Sequence, residues 1–438
     1  MPRLQPGPAA PTKEAATHRP AVPRPALPWV LAGIVVMSLS LRAPIIAPTA
    51  VIGDIQAGTG LSAAGAGLLT GIPVLLFALA TPLATRTIRR FGPEATVILC
   101  LAGVLAGTVL RSVGPAAVVL AGTVLIGTAM TLGNIVVPVI IRRDVPWRQA
   151  ATATGAYSAT MNVGSMAVLL GTPPLAGLVG WRWAIAAWGA VTAAGLAYWL
   201  FRGQPRRRAA GAGAGPGEPE YARSTTAAPR TPRTSDGPGA LAATARAAAE
   251  HARNRRIIAL LVLTFCGQSA SYYTTTAWLP LLLSDTRGLG PGASGAAASL
   301  FQIAAIIGAF GVPLLAARTR IWVPVAVIAA CWVVLPAGLL AAPEAYVLWA
   351  VVGGIAQGGG FTAIFSIVPR IARSDNEAAS ASARIQGGGY LAATVAPPLA
   401  GWLHTATGGW TAPLFLVLAA TLVFAGSGLL AARLSERR

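Results

Sequence analysis

The chain has 438 residues, is 55% hydrophobic with a mean hydropathy of +0.65, and carries charge at only 11% of its positions. A soluble domain of this length has no interior large enough for so much apolar surface, so the composition excludes a water-soluble enzyme or binding module and points to a polytopic membrane protein. The formal charge of +20 would suggest nucleic acid in a soluble domain, yet nearly all the basic residues fall in short stretches between apolar runs, which makes the charge a topology signal.

Residues 1–26 are rich in Pro, Ala and Arg and read as a disordered cytoplasmic tail without a signal peptide. Apolar segments follow at 27–50, 62–85, 94–113, 116–141, 150–174, 182–201, 257–283, 292–317, 322–342, 345–369, 377–402 and 411–432. At 1.5 Å per residue each can cross ~30 Å of hydrocarbon, so twelve transmembrane helices are expected. They group as a six-helix bundle over 27–201 and a second over 257–432, with a cytoplasmic tail at 433–438. Between the bundles, residues 202–256 are a string of Gly, Pro, Ala, Thr and Arg and read as a disordered, basic cytoplasmic linker. Its last part, 240–256, has a second reading as a short basic helix on the anionic leaflet.

With the N-terminus placed in the cytoplasm, 28 Lys and Arg residues fall on the cytoplasmic side and three, Arg111, Arg182 and Arg287, on the other. This split predicts both termini inside a plasma (inner) membrane. The two halves also repeat each other. VVPVIIRRD at 136–144 answers to IVPRIARSD at 367–375, pairing Pro138 with Pro369, Arg142 with Arg373 and Asp144 with Asp375 at an offset of 231. PPLAG occurs at 173–177 and again at 397–401. Six is even, so both copies enter from the same side and the repeats are parallel. Gly67 with Gly71, Gly103 with Gly107, and Gly354 with Gly358 have the spacing of close helix contacts.

The most informative stretch is SLSLRAPIIAP at 38–48, which sets Arg42 inside an apolar span. A cation there costs at least ~2.5–3.5 kcal/mol on insertion scales, so it is expected to face a watery cavity, a partner or a ligand. Pro44 and Pro48 each remove a backbone donor, which suits a helix lining a cavity. Gln268, Gln302, Gln357 and Gln386 all fall ~14–18 Å from a span end, and Tyr272 and Tyr390 follow Gln268 and Gln386 by one helical turn. Helix-to-helix hydrogen bonding explains any one of them; the set suggests a shared polar cavity. Arg384, nearer a span end, reads as snorkelling to the interface.

All thirteen acidic residues lie in loops, tails or span edges, so no mid-membrane carboxylate can relay protons. A cavity of this kind favours a small anion or neutral polar solute over a cation. The three histidines give no metal-ligand spacing, Cys100, Cys266 and Cys331 each lie in an apolar segment, and no cofactor motif is present.

Taken together, LRAP at 41–44, GN..VP..IRRD.P at 133–146, WRWA at 181–184, GQS..YY...AWLP at 267–280, SLFQ at 299–302, Gln357 with its neighbouring glycines and QGGGY at 386–390 make a pattern. It resembles the cyanate and 2-nitroimidazole transporter family (CynX/NimT) of the major facilitator superfamily. That resemblance implies an all-α carrier of twelve helices in two bundles, with the site between them and alternating access as its mechanism. Asn134 joins Arg42, the four glutamines and the two tyrosines as the expected solute contacts. Gating falls to Arg86, Arg89, Arg90, Arg142, Asp144, Arg373 and Asp375. One departure stands out: Thr85 occupies the place where the superfamily usually carries an Asp that braces the gate, so the gate must be held differently.

The function expected is therefore not enzymatic. It is secondary active transport of a small solute, preferably an anion, coupled to protons, by a monomer in contact with membrane lipid. A drug or toxic-compound exporter on the same fold is the alternative. A membrane-anchored regulatory or nucleic-acid-binding protein is a distant third, because the linker has no aromatic residues interleaved for base stacking.

Overall fold

The computed structural model describes residues 27–145, 147–210, 238–372 and 375–436, and every regular element among them is helical. The tail 1–26, the middle of the linker at 211–237, and Arg373 lie outside the described residues, as do the side chains of Arg142 and Asp375. The first repeat comprises α1 (Leu27–Ala50), α2 (Ile52–Thr59), α3 (Ala63–Leu79), α4 (Thr81–Val113), α5 (Ala116–Asp144), α6 (Trp147–Ala187) and α7 (Gly189–Ala210). The second comprises α8 (Pro238–Arg287), α9 (Pro291–Ile303), α10 (Ala305–Ala316), α11 (Trp322–Ala341), α12 (Tyr346–Ile371), α13 (Asp375–Thr407) and α14 (Thr411–Glu436).

Twelve crossings emerge from these helices because two of them contain a reversal. At Gly92 (φ 82°, ψ 168°) and Gly180 (φ 80°, ψ 156°) the backbone enters a region that only glycine visits freely. The direction change at Gly92 follows from the neighbours. Pro73 and Leu76 of α3 meet Gly127 and Thr131 of α5 in the same sense, whereas Gly103 and Gly107 of α4 meet Ala129 and Ile126 in the opposite sense. Residues 81–91 therefore continue α3 and residues 93–113 return. At Gly180, the Trp188 indole donates to Thr172 at 2.9 Å, which folds the two arms of α6 back on each other.

Two of the expected linker stretches are helical. Residues 202–210 extend α7, and residues 238–256 begin α8, whose 50 residues span about 75 Å. Residues 240–256 are helical, as the start of α8 and not as a separate short helix. ALAATARAAAEHARNRR is built from strong helix formers and is fused to an apolar span, so it elongates an existing helix without a nucleation cost.

One end of the helix array carries the Arg residues at 86–90, 318–320 and 370, and will be termed the basic end; the opposite end will be termed the neutral end. The two repeats are interlocked toward the neutral end. A Cβ on Gly67 would sit 2.6 Å from the backbone nitrogen of Pro398, one on Gly71 2.7 Å from the Thr394 carbonyl, and one on Gly401 2.5 Å from the Ala63 carbonyl. Gly295 approaches the Leu169 carbonyl in the same way, joining α9 to α6. So the Gly67 and Gly71 pair works between bundles, while Gly103 and Gly107 pack against α5 within one bundle. The α3–α13 contact runs antiparallel and ends at the edge-to-face pair Phe77 and Tyr390, 5.8 Å between centroids. Beyond it toward the basic end, Leu79 and Leu83 are exposed. The bundles thus close at the neutral end and part toward the basic end.

Candidate functional site

Arg42 lies 15 residues into α1, about 22 Å from its start, where the bundles begin to part. Its Nη1 donates to the Tyr272 hydroxyl of α8 at 3.0 Å, and its guanidinium carbon stands 5.8 Å from the Tyr272 ring centre. This contact joins the two repeats. Tyr157, Tyr273 and Tyr390 are its further electrostatic neighbours. No described carboxylate pairs with Arg42, and its Nε is buried without a partner. A fixed positive charge is therefore held in a ring of phenols with donor capacity unused.

Behind Tyr272 the wall is aromatic and rigid. Tyr272 packs edge-on to Tyr273 at 4.7 Å and stacks on Phe301 at 6.2 Å, and Phe301 leans on Trp332 at 6.3 Å. Tyr390 closes the other flank, packed edge-on against Phe77 of the first repeat and Phe265 of the second. Such pairs add stiffness beyond their buried area.

The glutamines do not form one open polar cavity. Gln268 is 5% exposed and bonded at both ends, its Oε1 accepting from the Trp332 indole at 2.6 Å and its Nε2 donating to the Gln357 carbonyl at 2.8 Å. Gln302 is buried and donates weakly to the Thr276 hydroxyl at 3.4 Å, leaving its Oε1 unbonded. The Gln357 side chain is partly exposed with Oε1 unbonded, and Gln386 accepts from the Tyr390 hydroxyl at 3.2 Å. Asn134, on the opposite bundle, accepts from the Tyr157 hydroxyl at a long 3.5 Å. The structure thus brings Arg42, Tyr272 and Tyr390 together. Asn134 and Gln386 stand one residue away, each through its tyrosine, and Gln268 belongs to the framework of the second bundle. Arg384 is exposed toward the basic end, bonded to Ser380 at 3.0 Å, and lines a cleft of about 310 Å³ with His251, Asn254 and Arg255.

Among the residues expected to gate, Arg86, Arg89 and Arg90 are exposed at the basic end, and Arg90 rests 5.4 Å over Phe91. Asp144 is taken by Arg143, whose Nε lies 2.8 Å from Oδ1, and Arg143 also grips Glu94 just beyond the Gly92 reversal. Hydrogen bonding to Asp144, with Glu94 behind it, holds the Arg143 guanidinium above its ordinary value. This Glu94–Arg143–Asp144 cluster braces α4 against α5 on the stretch where Thr85 replaces the usual acid. Thr85 itself only caps back onto the Thr81 carbonyl at 3.0 Å.

Sequence reasoning missed Tyr157, Tyr273, Glu94 and Arg111. Tyr273 adjoins Tyr272 and Tyr157 lies inside a span, so both could have been found by asking which polar rings share the depth of Arg42. Arg111 was assigned to the neutral-end loop. It is instead 1% exposed inside the first bundle, with Nη1 donating to the Pro44 carbonyl at 2.7 Å. The described residues contain no group of three or more His, Cys, Asp or Glu side chains able to hold a metal ion.

Comparison with known proteins gives a consistent result. The family model of the Major Facilitator Superfamily matches residues 29–349. Among characterised sequences, the chain is 30% identical to the 2-nitroimidazole transporter of Escherichia coli (strain K12) over 417 residues, covering 93% of this chain and 96% of that one. It is 29% identical to the uncharacterized transporter YycB of Bacillus subtilis (strain 168) over 406 residues, covering 91% and 92%. Among solved structures it superposes on a bacterial homolog of the human lysosomal transporter Spinster with a TM-score of 0.69 at 16% identity, covering 94% and 98%. The D-xylose–proton symporter gives 0.66 at 13% identity, covering 93% and 97%.

Proposed function

The chain belongs to the major facilitator superfamily, and from that membership we propose that it carries a small, planar, anionic or electron-rich solute across the inner membrane by alternating access. The observation that carries this reading is Arg42: a guanidinium that, among the described residues, has no carboxylate partner and bonds to the Tyr272 hydroxyl of the opposite bundle. An anion or a nitro group can accept two parallel hydrogen bonds from such a fork, while the aromatic wall stacks on a flat ring. The relative named as a 2-nitroimidazole transporter is consistent with a solute of that shape.

The 28-to-3 distribution of Lys and Arg supports a basic end and both termini in the cytoplasm. The parted end of the bundles is then the inner one. Solute enters or leaves there past Gln386 and Tyr390, and the bundles at 27–201 and 257–432 rock about it as a monomer. Arg86, Arg89, Arg90 and Asp144 lie at the basic end and become gate contacts when that end closes, and the sequence repeat adds Arg142, Arg373 and Asp375 to that role. With no carboxylate inside the spans to titrate, the coupling proton travels with the solute or beside it. Export of planar toxic compounds is the second reading, favoured by the aromatic wall of Tyr272, Tyr273, Phe301 and Trp332.

The test is solute binding to purified protein by calorimetry, with 2-nitroimidazole and a panel of small anions, alongside counterflow in proteoliposomes. Arg42→Gln should weaken binding by roughly a hundredfold, the loss of a charged hydrogen-bonded partner, while inserting at normal levels. Unchanged binding and exchange would make Arg42 structural and end the anion-site reading.

A further inference from the structure

We infer that Arg111 is a positioning residue for the solute site, bonding the α1 carbonyl that Pro48 leaves without its helical donor two residues from Arg42, an inference that rests on Arg42 being the solute's cation. The reasoning starts from proline chemistry. In a regular helix the carbonyl of residue 44 accepts from the N–H of residue 48, but residue 48 is Pro and has none, and its ring pushes that carbonyl aside. A carbonyl orphaned inside a membrane protein needs another donor. Arg111 supplies it from across the bundle, Nη1 to the Pro44 oxygen at 2.7 Å.

Three further observations argue that this contact matters. Arg111 is 1% exposed and its Nε and Nη2 have no partner, so the bundle retains a costly buried cation whose one described hydrogen bond goes to the Pro44 carbonyl. Its backbone is fixed, since a Cβ on Gly122 would lie only 2.7 Å from the Arg111 nitrogen, seating α4 directly on α5. And the bonded carbonyl is two residues beyond Arg42, so the clamp holds the turn of α1 on which Arg42 is mounted. The space that Arg111 lines with Ala43, Pro44, Thr108 and Trp188 has no room for a water beside it, so the guanidinium is the donor that reaches the Pro44 carbonyl there.

The design of the test follows from the cause: if Arg111 replaces the N–H that Pro48 lacks, restoring that N–H should make Arg111 dispensable. Four proteins are compared, the parent, Arg111→Gln, Pro48→Ala and the double variant. Two readouts are used: calorimetric binding of 2-nitroimidazole and small anions, and hydrogen–deuterium exchange of residues 40–52. Arg111→Gln should weaken binding about tenfold and raise exchange at 45–52, and adding Pro48→Ala should return both to within about threefold of the parent. Parent-like binding and exchange in Arg111→Gln overturns the inference. So does a defect that Pro48→Ala fails to relieve, because the residue would then serve packing alone. Should Arg111→Gln fail to insert, normal insertion and exchange of the double variant supports the inference and their failure overturns it. If Arg42→Gln leaves binding unchanged while the exchange pattern follows expectation, the clamp stands and the reading of Arg42 falls, so the two are separable.

Discussion

The two repeats share a helix plan but handle buried polarity in opposite ways. The first keeps two guanidiniums inside the bundle, Arg42 and Arg111, neither paired with a carboxylate, and each still has a nitrogen without a partner. The second buries neutral amides and bonds them inward, most completely at Gln268, which links α8 to α11 and α12. Unsatisfied charge is expensive in a low-dielectric interior and is tolerated where a ligand completes it; a satisfied amide is a fastening. On the function proposed above, the contrast would put the binding charge in one repeat and the aromatic wall in the other, with Tyr272 bonded across to Arg42.

The largest effect comes from keeping the repeats from meeting. Gly71 passes under the Thr394 carbonyl so closely that any side chain must displace backbone. Gly71→Leu should abolish counterflow while leaving solute binding within a few-fold, because closure of the neutral end is blocked and the parted basic end is untouched. Thiol labelling of single cysteines at Gly60 and Glu344 should rise in the same variant if the neutral end no longer seals. Transport at the parent rate would show that the α3–α13 contact is not part of the cycle.

A second test sharpens the assignment of charge. Arg42→Lys keeps the positive charge but loses the planar two-point fork, so binding should fall about tenfold, less than for Arg42→Gln. Tyr272→Phe comes next. It removes the hydrogen bond from Arg42 across the repeats while keeping the ring stacked on Phe301, and should cost several-fold in affinity. A result equal to that of Arg42→Gln would mean that the hydroxyl, and not the guanidinium, is the main solute contact.

Much of this was legible in the sequence for a physical reason. Twelve apolar segments, the parallel repeat at an offset of 231, and the singular position of Arg42 are all signals that bilayer thickness and desolvation cost force into the residue order. What could not be read is what depends on side-chain partners between distant helices. Four glutamines at one depth suggested a cavity, yet depth gives no rotation about the helix axis, and Gln268 faces Trp332 and not the space between bundles. Arg111 looked like a loop residue because it sits three positions before Gly114, and only the orphaned Pro44 carbonyl, visible in the Pro44 and Pro48 spacing, hinted that a donor was needed. Residues 240–256 are helical because no Gly or Pro interrupts their alanines and arginines, a local signal outweighed by composition, whereas 202–210 stay helical despite Gly203 and Pro205 as an extension of α7.

The smallest expected effect on binding, and the one that tests the contrast most directly, is at Gln268. If the amide is a fastening, Gln268→Leu leaves the Trp332 indole N–H and the Gln357 carbonyl without partners in the second bundle, a loss of about 1–3 kcal/mol for each group. Thermal stability in detergent should fall by several degrees, and the affinity for solute should stay within about twofold of the parent. Gln386→Leu should do the reverse. That side chain is partly exposed where the bundles part and has one bond, from the Tyr390 hydroxyl, so its loss frees a tyrosine beside the entrance and leaves the framework intact. Its melting temperature should match the parent while affinity falls a few-fold. A Gln268 variant that loses affinity without losing stability would place the amide in the site, and the division of labour between the repeats would have to be redrawn with charge and neutral donors facing the solute together.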